Sequence, residues 1–357
     1  MAETRTGIEN YLHHLLPGLV RSWRAGGGEV LVFARSEAVV AHIEPPVAVF
    51  PGGGRGWTQV RLPAAARRAG ANVYFSPIPV LPLLRRMPCP SVVTVHDLLE
   101  FRSRWWYFRR LIGRTLARAA AVICVSQATQ VEVVGAFPDA TDKTTVVREA
   151  ADPAIFHEGA DDAELSARLL HRLGVTRPPI VAVGTIQPRK NYLRLIEAYA
   201  RASAAVVDSP QLVIVGRRGW DFDDVLALPA RLGVESRVIF AGQLPDGEVG
   251  SLMRSALCLA AVSVGEGFGL PLVEAMFSGL PVLAADIPPF REVAGNAALF
   301  VNPLSTADIA AGLARLLQDA DLRNDLREVG RGRRGLFDWE RASAEVCSTL
   351  RAALTGI

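Results

Sequence analysis

The chain has 357 residues, half of them hydrophobic and 21% charged, and its 39 Lys and Arg against 36 Asp and Glu leave a formal charge of only +3. That length exceeds one ordinary core and points to two domains, while the near-balance of charge gives no support for bulk nucleic-acid binding. No apolar secretion signal opens the chain, and its longest apolar runs, Ala119 to Val125 and Ala256 to Val264, are too short to span a bilayer, so a cytoplasmic protein is expected.

Met1 to Arg5 contain no strand, yet Thr6-Gly7-Ile8-Glu9-Asn10-Tyr11 starts a helix with Tyr11, Leu12, Leu15, Leu16 and Leu19 at helical spacing. A doubly wound domain normally begins with a central strand, and here that strand is expected to be missing. Strands are predicted at Val30–Phe33, Val73–Phe75, Ser91–Val95, Val122–Val125 and Thr144–Val147. A second set follows at Ile180–Val183, Gln211–Val215, Arg237–Phe240 and Pro281–Ala284, with Ala256 to Val264 also reading as buried strand. Short runs that are apolar on both faces and separated by helical patterns indicate parallel sheets covered on both sides, so α/β doubly wound architecture is expected twice. Asp152-Pro153 breaks regular structure, and a hinge is placed near 148–157. The domains are then 1–150 and 151–337, with a last helix over 338–357 capped by Asp338.

Phe101 to Arg118 carries Trp105, Trp106, Tyr107 and Phe108 among many arginines. Trp105, Phe108, Ile112 and Leu116 share one helical face, which reads as core, and the surplus aromatics with Arg109-Arg110 leave peripheral membrane contact as the alternative. Cys89, Cys124, Cys258 and Cys347 stand far apart and the six histidines do not cluster with them. Buried free thiols are expected, and no metal site.

Glu266 and Glu274 lie eight apart around Gly267, Phe268, Gly269, Leu270 and Pro271, between an apolar strand and a helical stretch. A glycine-rich loop at a helix N-terminus binds anions, and carboxylates at its ends accept hydrogen bonds from sugar or ribose hydroxyls. The plainer reading is a tight turn with solvated glutamates, and two carboxylates around this loop favour the functional one. Gly184-Thr185-Ile186-Gln187-Pro188-Arg189-Lys190-Asn191 has the same topology at the first turn of the second half, where Arg189 and Lys190 suit a diphosphate or form a solvated basic turn. His96-Asp97 follows a predicted strand end, either facing a ligand crevice or capping the strand. Arg217 or Arg218 could contact phosphate, Trp220 is expected to pack, and Ser126 either presents a hydroxyl or caps a helix.

From Gly7 onward the chain resembles a retaining glycosyltransferase of family 4, in a mannosyltransferase-like subgroup. The resemblance rests on the Glu266–Glu274 loop, on Val183 to Asn191, on the Gly-x-x-Gly-Trp stretch from Gly216, on Asp286 to Val293, and on Trp339-Glu340-Arg341. It implies the GT-B fold: two facing Rossmann-like domains with a donor and acceptor cleft between them, and a last helix crossing back to the N-terminal domain. It also implies roles. Glu274 would hold the donor ribose and Glu266 the donor sugar. Amides of Phe268, Gly269 and Leu270 would face sugar and phosphates, with Gly184 and Thr185 beside them. Lys190 and Arg189 would neutralise the diphosphate without a metal, so no cofactor is expected. Val238 would lie at the base, His96 at sugar or acceptor, and Gly7 in a loop near the diphosphate. The sequence departs from the family in having Thr185 where many relatives have Arg, and in the short segment ahead of Gly7.

The expected activity is transfer of a hexose, with mannose from GDP-mannose as first choice, to a hydroxyl of an undetermined sugar, lipid-linked or small-molecule acceptor. The rivals are a nucleotide-sugar 2-epimerase on the same fold and a truncated, catalytically impaired nucleotide-sugar-binding protein.

Overall fold

The computed structural model describes residues 7–34, 43, 48–52, 56–99, 105–159, 163–204, 206 and 208–356. The chain forms two compact units, Ala150–Phe337 and Arg5–Glu149 joined by Asp338–Ile357. Residues 1–5, where no strand is expected, lie outside the described residues.

The N-terminal unit opens with α1 (Gly7–Ala25), β1 (Leu31–Ala34), β2 (Ala48–Pro51), α2 (Leu62–Arg68) and β3 (Tyr74–Ser76). It continues through β4 (Ser91–Val95), α3 (Trp105–Arg118), β5 (Ala121–Cys124), α4 (Gln127–Ala136) and β6 (Thr144–Val146). β1 pairs with β2 in parallel, and β3, β4, β5 and β6 form a parallel sheet in that order. Every residue of β4 is buried, as a strand covered on both faces requires. Ile112 and Leu116 of α3 enter the core formed by Val93, Val95, Val122 and Cys124. The side chains of Trp105 to Phe108 lie outside the described residues. Ser126 caps α4, its hydroxyl accepting from the Thr129 amide at 2.9 Å, so its capping role is the one realised.

The C-terminal unit runs through α5 (Ala163–Arg172), β7 (Ile180–Val183), α6 (Tyr192–Ala204), β8 (Leu212–Val215), α7 (Asp223–Arg231), β9 (Val238–Gly242) and α8 (Asp246–Ser255). After these come β10 (Cys258–Ala261), α9 (Leu270–Phe277), β11 (Val282–Ala285), α10 (Pro288–Ala294), β12 (Ala298–Val301), α11 (Thr306–Gln318) and α12 (Ala320–Arg333). Its six strands are all parallel in the order β12-β11-β10-β7-β8-β9. That is the doubly wound arrangement, with the winding direction reversing between β7 and β10.

α13 (Trp339–Thr355) returns to the N-terminal unit. Asp338 caps it, accepting from the Glu340 amide at 2.9 Å. α13 lies against α1, and the Ser343 hydroxyl donates to the Leu15 carbonyl at 2.9 Å. Gly18 permits the approach, because a Cβ there would sit 2.5 Å from Ser343 Oγ. Cys124, Cys258 and Cys347 are buried free thiols and Cys89 is a half-buried one. No helix among the described residues is long and apolar enough to cross a membrane.

Candidate active site

Where a parallel sheet reverses its winding, the loops leaving the two central strands part to opposite faces and open a crevice at the carboxyl edge. In the C-terminal unit those loops are 184–191, after β7, and 262–269, after β10. They are the two glycine-bearing loops singled out in the sequence.

The first loop is packed tightly. Gly184 has φ 142°, and a Cβ there would lie 2.7 Å from Lys190 Cε, so the missing side chain is the space the lysine stem fills. The loop after β8 runs directly against it: a Cβ on Gly216 would fall 2.0 Å from the Gly184 oxygen. Ile186 donates its amide to the Arg217 carbonyl at 2.9 Å and accepts from the Gly219 amide at 3.0 Å. Tyr192 donates its phenol to the Gly184 carbonyl at 2.9 Å. Asn191 takes the left-handed conformation at φ 61° and buries its amide, which donates to the carbonyls of Val262 at 2.9 Å and Pro303 at 2.7 Å. A short polar side chain tolerates that backbone, and here it also ties the first loop to the end of β10.

The second loop is joined to the first by backbone and by charge. The Val264 amide donates to the Arg189 carbonyl at 2.9 Å. Arg189 Nη1 donates to the Gly265 carbonyl at 3.1 Å and to the Glu266 carboxylate, and Lys190 Nζ donates to Glu266 Oε1 at 2.8 Å. Only 11% of the Glu266 side chain is exposed. Burial pushes its carboxyl up, but the Lys190 and Arg189 charges, with hydrogen bonds from Lys190 and Ser263, outweigh that and hold it below the usual range. Glu266 is thus an anion at neutral pH: it can accept from hydroxyls and has no proton to give. Burial and the Glu266 charge together push the Tyr192 phenol up, so it remains a donor.

Gly269 then turns the chain into α9 with φ 114°, and a Cβ there would meet the Phe290 ring at 2.8 Å. Lys190, Tyr192, Ser263, Glu266, Gly269 and Phe290 line one small pocket at this edge.

The structure therefore brings together Gly184, Arg189, Lys190, Glu266 and Gly269. Both cations expected to face a diphosphate are turned onto the Glu266 carboxylate. Leu270 opens α9, and Glu274 is buried one turn into it. Thr185 lies beside the Gly219 backbone, while the Phe268 ring is packed edge-to-face on Phe337 at 6.0 Å. Val238 requires a correction. It is the first residue of β9, paired in register with Leu212, and so lies at the amino end of its strand. That is roughly 13 Å of strand away from the carboxyl edge, where Gly242 stands instead. Trp220 is also corrected: it is 52% exposed and does not pack as expected. Arg218 is positioned over the Phe222 ring at 5.7 Å.

Gly7 and His96 belong to the N-terminal unit, Gly7 as the exposed first residue of α1. His96 follows β4 and has both ring nitrogens engaged, one with Glu149 and one with the Pro77 carbonyl. Tyr192, Ser263 and Glu149 were not singled out in the sequence, and Asn191 was named there only as the end of the first loop, with no role of its own. Asn191, next to Lys190 at a helix start, had a readable signal in its tolerance of left-handed backbone. The others had none.

Known proteins match both units of this fold. The model for glycosyltransferase family 4 matches residues 5–154, and the model for glycosyl transferases group 1 matches residues 171–333. The chain is 26% identical to the O-antigen chain mannosyltransferase B of Escherichia coli over 268 residues, 73% of this chain and 70% of that one. It is 28% identical to the 2-deoxystreptamine glucosyltransferase of Streptomyces kanamyceticus over 334 residues, covering 90% and 79%. Some matched mannosyltransferases are much longer, and the chain spans 29% of one, WbdA of Escherichia coli. Among solved structures, Anabaena Alr3699/HepE in complex with UDP-glucose superposes with a TM-score of 0.77 at 21% identity, over 99% of this chain and 98% of that one.

Proposed function

The chain belongs to the family 4 glycosyltransferases, and from that premise we propose that it moves a hexose from a nucleotide-diphosphate sugar to an acceptor hydroxyl with retention of configuration. The observation that carries the reading is the joining of Lys190, Arg189 and Glu266 across two loops at the reversal point of the C-terminal sheet. Glu266 accepts from hydroxyls of the donor sugar. Lys190 and Arg189, shared between Glu266 and the arriving diphosphate, stabilise the charge that grows on the leaving group, so the reading requires no metal ion. Glu274, at the far end of the same loop, accepts from the ribose hydroxyls. Amides at the start of α9 add the positive end of a helix.

Mannose from GDP-mannose is the donor we favour, because mannosyltransferases recur among the relatives. UDP-glucose is the competing donor, prompted by the complexed structural neighbour. The acceptor is a hydroxyl of a growing glycan, a lipid-linked glycan or a small glycoconjugate, and the enzyme works in the cytoplasm, free or at the membrane face.

A thermal-shift screen of GDP-mannose, GDP, UDP-glucose and UDP tests the donor, since a ligand at a hundred times its Kd stabilises the fold by about 2.7 kcal/mol. Turnover of the stabilising donor with and without acceptors tests the chemistry. An isomerised sugar from donor alone, or binding with no transfer to any acceptor, would overturn the transferase reading.

A further inference from the structure

The N-terminal unit contains a partly buried histidine–glutamate pair. His96 Nδ1 lies 3.1 Å from Glu149 Oε1, and His96 Nε2 lies 3.0 Å from the carbonyl oxygen of Pro77. A carbonyl oxygen only accepts, so Nε2 must carry a proton. Opposite a carboxylate, Nδ1 must carry one as well. The ring is then an imidazolium with both N–H groups committed inside the protein.

The groups around the ring favour that state. Burial works against the cation, but the hydrogen bond and charge of Glu149, the Pro77 carbonyl and the charge of Asp97 outweigh it, and His96 titrates above its ordinary range. Among the described residues, the titratable groups that bear on it are Glu149 from the segment after β6, Asp97 from its own loop, through its charge, and Tyr11 from α1, whose ring meets the imidazole edge-to-face at 4.9 Å. The His96 carbonyl is held separately by the Thr129 hydroxyl at 3.3 Å. Still, 23% of the His96 side chain and 11% of that of Glu149 are open. With both nitrogens occupied, what the ring can offer a ligand is its C–H edges and faces, which carry the positive charge.

We infer that Glu149 is a positioning residue, holding His96 as a fixed, doubly protonated cation that meets an anionic or hydroxylic substrate oxygen without accepting a proton from it. The inference rests on the glycosyltransferase reading for its effect on rate, though not for the state of the ring. It removes His96 from the candidates for general base.

The test has two arms. In the first, nitrogen chemical shifts of labelled histidine, assigned with H96Q, report the ring state in the wild-type protein. The expected result is an imidazolium that persists above the ordinary histidine pKa. A neutral His96 at pH 7 would overturn the inference whether or not any donor turns over. The second arm is the pH profile of kcat/KM in E149Q. The side-chain amide of that variant can donate to Nδ1, which leaves Nε2–H on Pro77 and favours neutral imidazole. Activity of E149Q should therefore fall as pH rises, about tenfold per pH unit beyond the lowered pKa, and recover in acid, where the wild type stays flat. A wild-type rate that rises with pH through the His96 transition marks a general base and defeats the proposal. If the wild type transfers nothing, the donor reading fails and the nitrogen shifts alone decide this one. E149D, with a carboxylate one methylene shorter, checks that loss in E149Q follows charge: partial return of the cationic spectrum supports the pair, and its absence in a folded E149D counts against it.

Discussion

Tyr192 reaches back eight residues and donates its phenol to the carbonyl oxygen of Gly184 at 2.9 Å, closing the loop that carries Arg189 and Lys190. Tyr192 is buried and its ring lines the same pocket as Glu266. Replacing Tyr192 by Phe keeps the ring and removes the bond. About 1–2 kcal/mol of stability should go with it, because the carbonyl loses its donor. Thermal unfolding reads the first effect, and titration calorimetry of nucleotide should show weaker binding if the loop presents the diphosphate cations. Unchanged nucleotide affinity in a destabilised Y192F would confine Tyr192 to the fold.

Lys190→Ala removes one of the two cations on Glu266 while Arg189 remains. The fold should survive, since the carboxylate keeps a partner. The kcat/KM for donor should fall about 10²–10³-fold, the cost of losing one preorganised charge stabiliser. A fall of less than about threefold in steady-state kinetics would mean that Lys190 serves Glu266 alone.

Glu274→Ala should raise the donor Kd by about tenfold or more, through loss of acceptors for ribose hydroxyls. Calorimetry with the intact donor and with the free sugar separates the roles: Glu274→Ala should weaken only the former. Equal binding of donor by wild type and E274A would assign the ribose elsewhere.

Two glycines make a matched pair for stability. A methyl at Gly216 would fall 2.0 Å from the Gly184 oxygen, whereas one at Gly247, inside α8, meets nothing within 4 Å. Gly216→Ala should cost about 3 kcal/mol or prevent folding, because backbone rather than a flexible side chain must move. Gly247→Ala should gain about 0.5–1 kcal/mol from helix propensity. Urea unfolding of both variants checks the contrast.

Stability should also depend on pH with opposite signs at the two carboxylate-centred clusters. The Glu266 carboxyl is lowered from its ordinary 4.5, so it contributes above that value and the contribution is lost as pH falls through the lowered pKa. His96 is raised from 6.5, so its contribution is full below that value and is lost as pH rises through the raised pKa. Melting curves across pH should show E266Q flattening the acid limb and E149Q the alkaline one.

The fold was largely legible because parallel strands buried on both faces read as bare apolar runs, as at Ser91–Val95 and Ile180–Val183. β2 and β12 escaped notice: one ends in Pro51, and the other opens on Ala298 directly after Ala297, and alanine has a weak strand preference. The glycine loops stood out because glycine and paired charge at a strand end have few structural uses. Val238 was misplaced because the resemblance gives a strand but not which end faces the ligand. Glu149 was unreadable. A single acidic residue in an aperiodic segment carries no pattern, and only the folded chain brings it 53 residues back to His96. The exposed Trp220 shows the limit of composition, which expects a large ring to be covered.

The contact of Ser343 with Leu15 spans 328 residues. α1 therefore emerges from the ribosome long before its partner α13 exists, and the entire C-terminal unit is synthesised in between. The apolar stripe of α1 waits for α13 through that interval, while Ala150–Phe337, a compact unit of its own, is free to finish first. In this chain the half made first is the half completed last, and the nascent N-terminal unit is where a chaperone would find its longest opportunity.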